Sequence, residues 1–467
     1  VAEVVLVPYT LALCVLVLHG IYAGRVLWLS QSRYAVCPEP PSILPRVTIQ
    51  LPVYNEPAVV ERLLHGIASL DYPADLMQVQ ILDDSTDVTS AIIADLLQKH
   101  QFSMPVSHIR RSSRAGYKAG ALAHGLSTST GELIAIFDAD FTPDADFLHR
   151  TVGAFQDERV AFVQARWTHR NATATILTRA QAIVLDAHFK ADQRYRSQMD
   201  LMLPFNGTAG IWRRAAISDA GGWQSDTLTE DVDLAYRAQM KGWKAVYCDH
   251  VVVPADLPST LPALSTQQVR WTKGTAQTAL KLLPTILQSS LPWTCRIEAV
   301  MHLSSGLVFP SVIVIAVLQL PLLGLDELPQ WLWIPSIVPV ITALVHRRVQ
   351  GAWKPLGRGL PVALLGTMGL AVRNTRAVLE AMLGRPSEFE RTPKGSTDPG
   401  GSAARRSDAT VEMLLALYLA VCVGYSIGAG WYLASMFQLG LAVAFGTMGV
   451  THILHICRSS HHIPTSP

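Results

Sequence analysis

Apolar positions are spread unevenly along the chain. One run, 4–29, carries only His19 and Arg25 as basic groups. It is too long for a signal-peptide core and lacks a basic leader and a small-residue cleavage site, so it reads as a retained transmembrane helix. Later runs at 299–324, 331–346, 411–434 and 437–456 have the length and composition of further spans. The stretch 360–383 is apolar only in its first half, because Arg373, Arg376 and Glu380 occupy the second. That pattern suits a helix lying at the membrane interface better than one crossing it.

Between these regions, short β-rich runs alternate with helical stretches. The runs are "VTIQLPVYN" (47–55), "MQVQILDD" (77–84), "VSHIRR" (106–111), "LIAIFDAD" (133–140) and "VAFVQARW" (160–167). Strand and helix alternating in this way predict a mostly parallel sheet covered by helices, a Rossmann-like α/β domain. Ligands of such sheets bind beyond the carboxyl ends of the strands. Polar residues collect at those ends: Asn55 and Glu56, Asp83 and Asp84, Asp138 and Asp140.

Composition supports a membrane protein. The chain has 467 residues, 49% of them hydrophobic and 16% charged, with a formal net charge of +2. No basic run with interleaved aromatics is present, so nucleic acid is not an expected partner. The six cysteines are scattered, without a CxxC pair, and predict neither a zinc site nor a disulfide framework. Basic residues follow the first span (Arg25, Arg33) and crowd the segment from Arg347 to Arg406, while "GLDELPQ" (324–330) is acidic. Five spans place every basic loop and the α/β domain in the cytoplasm. The expected organisation is a membrane helix over 1–30, a cytoplasmic domain over 46–285, two spans in 297–347, an interfacial helix with a loop in 348–409, and two spans in 410–457.

The acidic clusters suggest chemistry. Two carboxylates spaced by two, Asp138 and Asp140, repel each other unless a cation joins them. Mg²⁺ or Mn²⁺ held by one or two carboxylates usually completes its shell with substrate phosphates. Taken alone, such a pair is more often a polar strand end or a helix N-cap; its place at the end of a buried strand favours the metal. Asp84 is placed to accept hydrogen bonds from a nucleobase or ribose, and Lys118 stands near a helix start, where an anion is favoured. Glu230 and Asp231 open another helix. Either Thr229 and Glu230 cap this helix, or a carboxylate there takes a proton from an acceptor hydroxyl. "QQVRW" (267–271) reads by itself as an amphipathic helix with a snorkelling Arg and an interfacial Trp.

Taken in order, "DDS", "DAD", "TED" and "QQVRW" resemble the D, DxD, D, QxxRW pattern of processive family 2 glycosyltransferases, the cellulose, chitin and hyaluronan synthases. "QLPVYNE", "YKAGAL", "VQARW", "FNGTAGIWRR" and "TEDVDLAYRAQMKGW" look most like the cellulose-synthase-like A and C proteins and their bacterial relatives. The A group includes glucomannan 4-β-mannosyltransferases. The match is dense over 46–275 and resumes at "FERTPKG" (389–395), which resembles a gating loop with Arg391 in place of its valine.

The resemblance implies a GT-A domain embedded in a multi-pass protein of a bacterial inner membrane. It makes Asp84 a nucleotide contact, Asp138 and Asp140 the metal and diphosphate site, and Asp231 the general base. Gln267, Gln268, Arg270 and Trp271 would line the acceptor mouth, and Phe205, Asn206, Gly207 and Thr208 would form the loop at the acceptor terminus. Thr392 and Lys394 would contact the diphosphate as the loop closes. The implied partners are a nucleotide-sugar donor, a polysaccharide acceptor and the bilayer. GDP-mannose and UDP-glucose both remain open as donor, and so do a β-glucan synthase and a single-transfer glycolipid synthase as activity. A transporter or inactive scaffold is disfavoured by the intact acidic set and by the lack of an isolated charge at mid-span.

Overall fold

In a computed structural model of the chain, residues 2–28, 37–99, 102–319, 322, 337–386, 389–392 and 406–460 are described. The α/β domain is built on one seven-stranded sheet of order β3-β2-β1-β4-β6-β5-β7. Its strands are β1 Val47–Val53, β2 Met77–Asp83, β3 Val106–Arg110, β4 Leu133–Ile136, β5 Val160–His169, β6 Gly210–Arg213 and β7 Lys244–Ala255. β1, β2, β3 and β4 pair in parallel, as do β5 and β7, while β6 runs antiparallel between β4 and β5. The register sets Val53 beside Asp83, and Asp83 beside Arg110, so the strand ends form one rim.

Apolar layers fill both faces. Ile49, Leu51, Val79, Ile81 and Phe137 pack on one side, and Leu122, Ile134, Phe162, Trp212 and Leu234 on the other. Polar side chains on the central strands pair across the sheet: Gln50 Nε2 donates to Gln80 Oε1 at 3.0 Å, and Thr48 donates to Gln78 Oε1 at 2.8 Å.

The structure corrects the sequence reading in several places. β6 and β7 were not expected. β6 has four residues, too few for a periodic signal, and β7 is long and irregular in register against β5. β4 ends at Ile136, so Asp138 and Asp140 lie in the turn beyond it rather than on extended backbone. Cys37 and Cys248 are paired as a disulfide, with Cα atoms 5.9 Å apart across 211 residues, contrary to the expectation of none. Sequence distance hid a proximity that the fold creates.

Among the described residues, three helices are long and apolar enough to cross a membrane: Val4–Leu27, Arg406–Gly428 and Tyr432–Cys457. The run expected to span at 299–324 is a pair, Trp293–Leu303 and Ser305–Val317, bent by 43°, and counts as a fourth span only if the two halves are taken together. Ser304, Ser305 and Gly306 mark the bend, residue types that interrupt a helical ladder. Residues 331–336 lie outside the described residues, and the helix that follows, Ile337–Gln350, has 14 residues.

The stretch 360–383 is two helices, Gly359–Gly369 and Ala371–Met382. The second turns its charges inward. Glu380 pairs with buried Lys273 at 2.9 Å, Arg373 donates to Ser265 at 2.6 Å, and Arg376 pairs with Asp408. The first two contacts dock it along the Leu261–Gln288 helix, which carries "QQVRW", and the third ties it to the Arg406–Gly428 helix.

Candidate active site

The rim of the sheet opens into a cleft lined by Tyr54, Glu56, Asp84, Arg114, Lys118, Asp138, Asp140, Asn206, Gly207, Glu230, Asp231, Gln267, Arg270, Trp271 and the segment from Phe389 to Thr392. Residues that sequence reasoning drew from separate strand ends and loops therefore meet in one place. Asp83 and Asp84 divide their work. Asp83 is buried, and burial alone would raise its carboxyl, but hydrogen bonds from His108, Ser90 and Ser85 bring it to about 2. It secures the end of β2. Asp84 lines the cleft and is held by Arg111, whose Nε donates to it at 2.9 Å and whose second nitrogen completes a fork. Neither Arg111 nor Arg114, whose guanidinium lies 3.4 Å over the Tyr54 ring, stood out in the sequence. Both belong to a short basic segment that follows β3.

Asp138 is fixed from two directions. Its N–H donates to Thr208 Oγ1 at 2.8 Å, and its carboxylate pairs with Lys118 Nζ at 2.6 Å. Lys118 also donates to the Gly207 carbonyl at 2.9 Å. Arg170 braces the same turn by donating to the Asp140 carbonyl while pairing with Asp256. Thr208 is buried and does not line the cleft, so its part is to hold the Asp138 backbone. Phe205 is a wall residue, fully buried edge-on to Phe162 and Trp212. Gly207 has a φ of +79°, and a Cβ there would stand 2.8 Å from Asp231 Oδ2. Glycine at this position lets the loop lie against both Asp231 and Lys118.

The Glu230–Met240 helix brings its first two residues to the cleft. Thr229 does not cap it through its side chain and instead meets Thr278 at 3.2 Å, so the capping explanation fails. The Leu261–Gln288 helix crosses directly over this start. At Gly274 a Cβ would lie 2.6 Å from Thr229 Cγ2, so a larger residue there would lift "QQVRW" away from Asp231. Burial pushes the Asp231 carboxyl up to about 7, with neighbouring Glu230 adding to the rise and Lys118 opposing it. Glu230 is raised as well, again chiefly by burial.

Phe389 stacks on Tyr117, centroids 5.8 Å apart, and the Arg270 guanidinium lies 4.6 Å from its ring. Arg391 pairs with Glu56 at 3.0 Å, and Thr392 is buried against the cleft. The segment thus closes one side of the cleft. Lys394 lies outside the described residues.

A second cavity leaves the cleft beneath "QQVRW". Asn206, Thr229, Asp231, Gln267 and Trp271 line both. It continues past Gln268, His188 and His302 to Phe309, Ala363, Gly366 and Thr367, on helices Val308–Val317 and Gly359–Gly369. Trp167, His169 and His188 were not singled out from sequence. Trp167 stood only inside a quoted motif, and the two histidines carried no spacing signal.

Comparison with known proteins bears on the family and the fold. The family described as glycosyl transferase family group 2 matches residues 133–384. A probable glucomannan 4-beta-mannosyltransferase 9 from Oryza sativa subsp. japonica is 33% identical over 442 residues, covering 88% of this chain and 82% of that protein. A probable glucomannan 4-beta-mannosyltransferase 11 from the same plant is 44% identical over 254 residues, covering 52% of this chain and 44% of its own. This second alignment spans less than half of the relative. Among solved structures, the mannosyltransferase PcManGT from Pyrobaculum calidifontis, in complex with GDP-Man and Mn2+, matches with a TM-score of 0.54 at 22% identity. That match covers 78% of this chain and 99% of the other, and it bears on the fold alone.

Proposed function

The chain belongs to glycosyltransferase family 2, and on that premise we propose that it transfers mannose from GDP-mannose to the end of a growing β-linked mannan or glucomannan. The observation that carries this reading is the position of Asp231, on the wall shared by the polar cleft and the cavity that runs toward the apolar helices. A donor in the cleft and an acceptor in the cavity would meet at that carboxylate. Asp231 takes the proton of the acceptor hydroxyl as the oxygen attacks the anomeric carbon. One displacement at an α-linked donor inverts that carbon and leaves a β linkage, with a nucleoside diphosphate departing.

Lys118 and Arg270 stand where charge develops on the leaving group. Asp138 and Asp140 fit a cation that takes the rest of its shell from phosphate. Among the described residues no group of three or more His, Cys, Asp or Glu is arranged to hold an ion unaided. Mg²⁺ or Mn²⁺ bound there would neutralise the diphosphate. Mannose is favoured over glucose by the relatives named as mannosyltransferases. The apolar helices support threading of the product outward through the membrane.

Membrane vesicles containing the full chain, offered radiolabelled GDP-mannose and UDP-glucose separately, test the reading. Insoluble, mannanase-sensitive polymer is expected from GDP-mannose. Label confined to the lipid extract would identify a single-transfer glycolipid synthase instead, and polymer from UDP-glucose alone a glucan synthase.

The segment around Phe389 supplies a second expectation. If it excludes water from the loaded cleft, replacing Thr392 and Lys394 together by alanine lowers polymer synthesis by roughly tenfold or more. Arg405→Gln with Arg406→Gln leaves turnover nearly intact. Equal behaviour of the two double variants would make the segment a linker.

A further inference from the structure

The helix that begins at Ile176 changes character at His188. Residues His188–Gln193 form a π-helix, followed by a return to α-helix over Arg194–Gln198. Such insertions often mark functional positions, because they rotate one side chain out of the regular register. His188 opens this turn, lines the acceptor cavity and is partly exposed. Its Nε2 lies 3.0 Å from Asn206 Oδ1.

Asn206, in the "FNGT" loop, lines both the cleft and the cavity. Its backbone is held independently, since its N–H donates to Gln164 Oε1 at 2.8 Å and Gln164 Nε2 donates back to the Thr208 and Ala209 carbonyls. Only the side-chain amide is left to be oriented, and His188 orients it. The Asn206 Nδ2 is buried and has no protein partner. A buried amide donor with nothing to donate to costs stability, unless a ligand oxygen satisfies it. A sugar hydroxyl is such an oxygen.

We propose that His188 is a positioning residue for the acceptor, turning the Asn206 amide so that Nδ2 donates to a hydroxyl of the acceptor's terminal sugar and presents the neighbouring hydroxyl to Asp231. Burial lowers the His188 imidazole below its ordinary value. Because Asn206 Oδ1 can only accept, the neutral ring carries its proton on Nε2, and Gln193 Nε2, 3.3 Å from the same nitrogen, turns its donor to the Pro204 carbonyl instead. The inference rests on the transfer reading above.

The test uses the full chain in vesicles with whichever nucleotide sugar supports incorporation by the unaltered protein. Polymer, free sugar and the KM for donor are measured together. His188→Phe and Asn206→Ala should each lower polymer about tenfold or more, the scale of one lost hydrogen bond to a substrate. Donor KM should stay within about twofold, and the share of donor lost to water should rise. His188→Gln, which can still donate to Asn206, should recover most of the activity. The double variant should be no worse than Asn206→Ala alone, because both changes remove one interaction.

Losses that multiply in the double variant, a donor KM that rises with the loss, or a His188→Gln as poor as His188→Phe would each overturn the proposal. If His188→Phe does not insert, His188→Asn, too short to reach Oδ1, takes its place. An unaltered protein that makes no polymer from any donor would sink the transfer reading instead, a separate outcome.

Discussion

Asp231→Asn is expected to lower polymer synthesis by about 10²–10⁴, the usual range for removal of a general base, while leaving donor affinity in place. The carboxylate stands at the junction of cleft and cavity, whereas Asp84, Asp138 and Lys118 line the cleft and not the cavity. Calorimetry with the nucleotide sugar separates the roles: equal loss of binding would move Asp231 into the donor site.

The pH profile adds a second check. The base must be ionised, and its carboxyl is pushed up to about 7 by burial and by Glu230. Polymerisation should therefore rise through pH 6–7 and level off above, and that limb should be missing from the residual rate of the variant. The same shift predicts a stability change of known sign. A carboxyl whose folded value lies above its unfolded one favours folding while protonated, and stability falls as pH rises from the unfolded value toward the folded one. Above neutral pH the charged Asp231 is thus a burden on the fold, and Asn removes it. The inactive variant should melt higher at pH 8, by roughly 2–4 °C, and show no gain at pH 4. A lower melting point at pH 8 would contradict the burial argument.

The parts of this molecule that were legible in the sequence are those encoded locally. β1, β2 and β4 read as short apolar runs, each with its polar residues at the carboxyl end, and Asp84, Asp138, Asp231 and Arg270 do converge. What escaped was set by contacts distant in sequence. The pairing of β6 between β4 and β5 depends on partners that precede it by 40 residues or more. The fork of Arg111 on Asp84 depends on β3 lying beside β2. Cys37 meets Cys248 only because the start of the domain returns to β7. The charges of 371–382 suggest an interfacial helix from sequence, yet they pair with other helices, since periodicity reports that a face is polar and not what covers it. His188 had no signal at all, because its role comes from a local change of helix type.

Replacing Asp140 by Asn should nearly abolish donor binding, by at least about a hundredfold, and exhaustive chelation should do the same to the unaltered protein. The choice of Asp140 over Asp138 follows from the neighbours. Asp138 pairs with Lys118 at 2.6 Å, so Asp138→Asn would strip Lys118 of its nearest carboxylate and disturb the Gly207 loop as well. Asp140 is buried in the turn, and the bond from Arg170 goes to its main-chain carbonyl, which Asn keeps. If the cleft holds the diphosphate as proposed, Asp140→Asn removes one negative charge from its wall while keeping the side chain's size. Without it, a single carboxylate already shared with Lys118 would have to hold the cation, and the diphosphate would lose most of its counter-charge. Titration with Mn²⁺ followed by electron paramagnetic resonance gives a readout apart from turnover: one tight site in the presence of GDP-mannose in the unaltered protein, lost in Asp140→Asn. Full polymer synthesis after chelation, or Mn²⁺ binding unchanged by the substitution, would show that Lys118 and Arg270 alone balance the diphosphate.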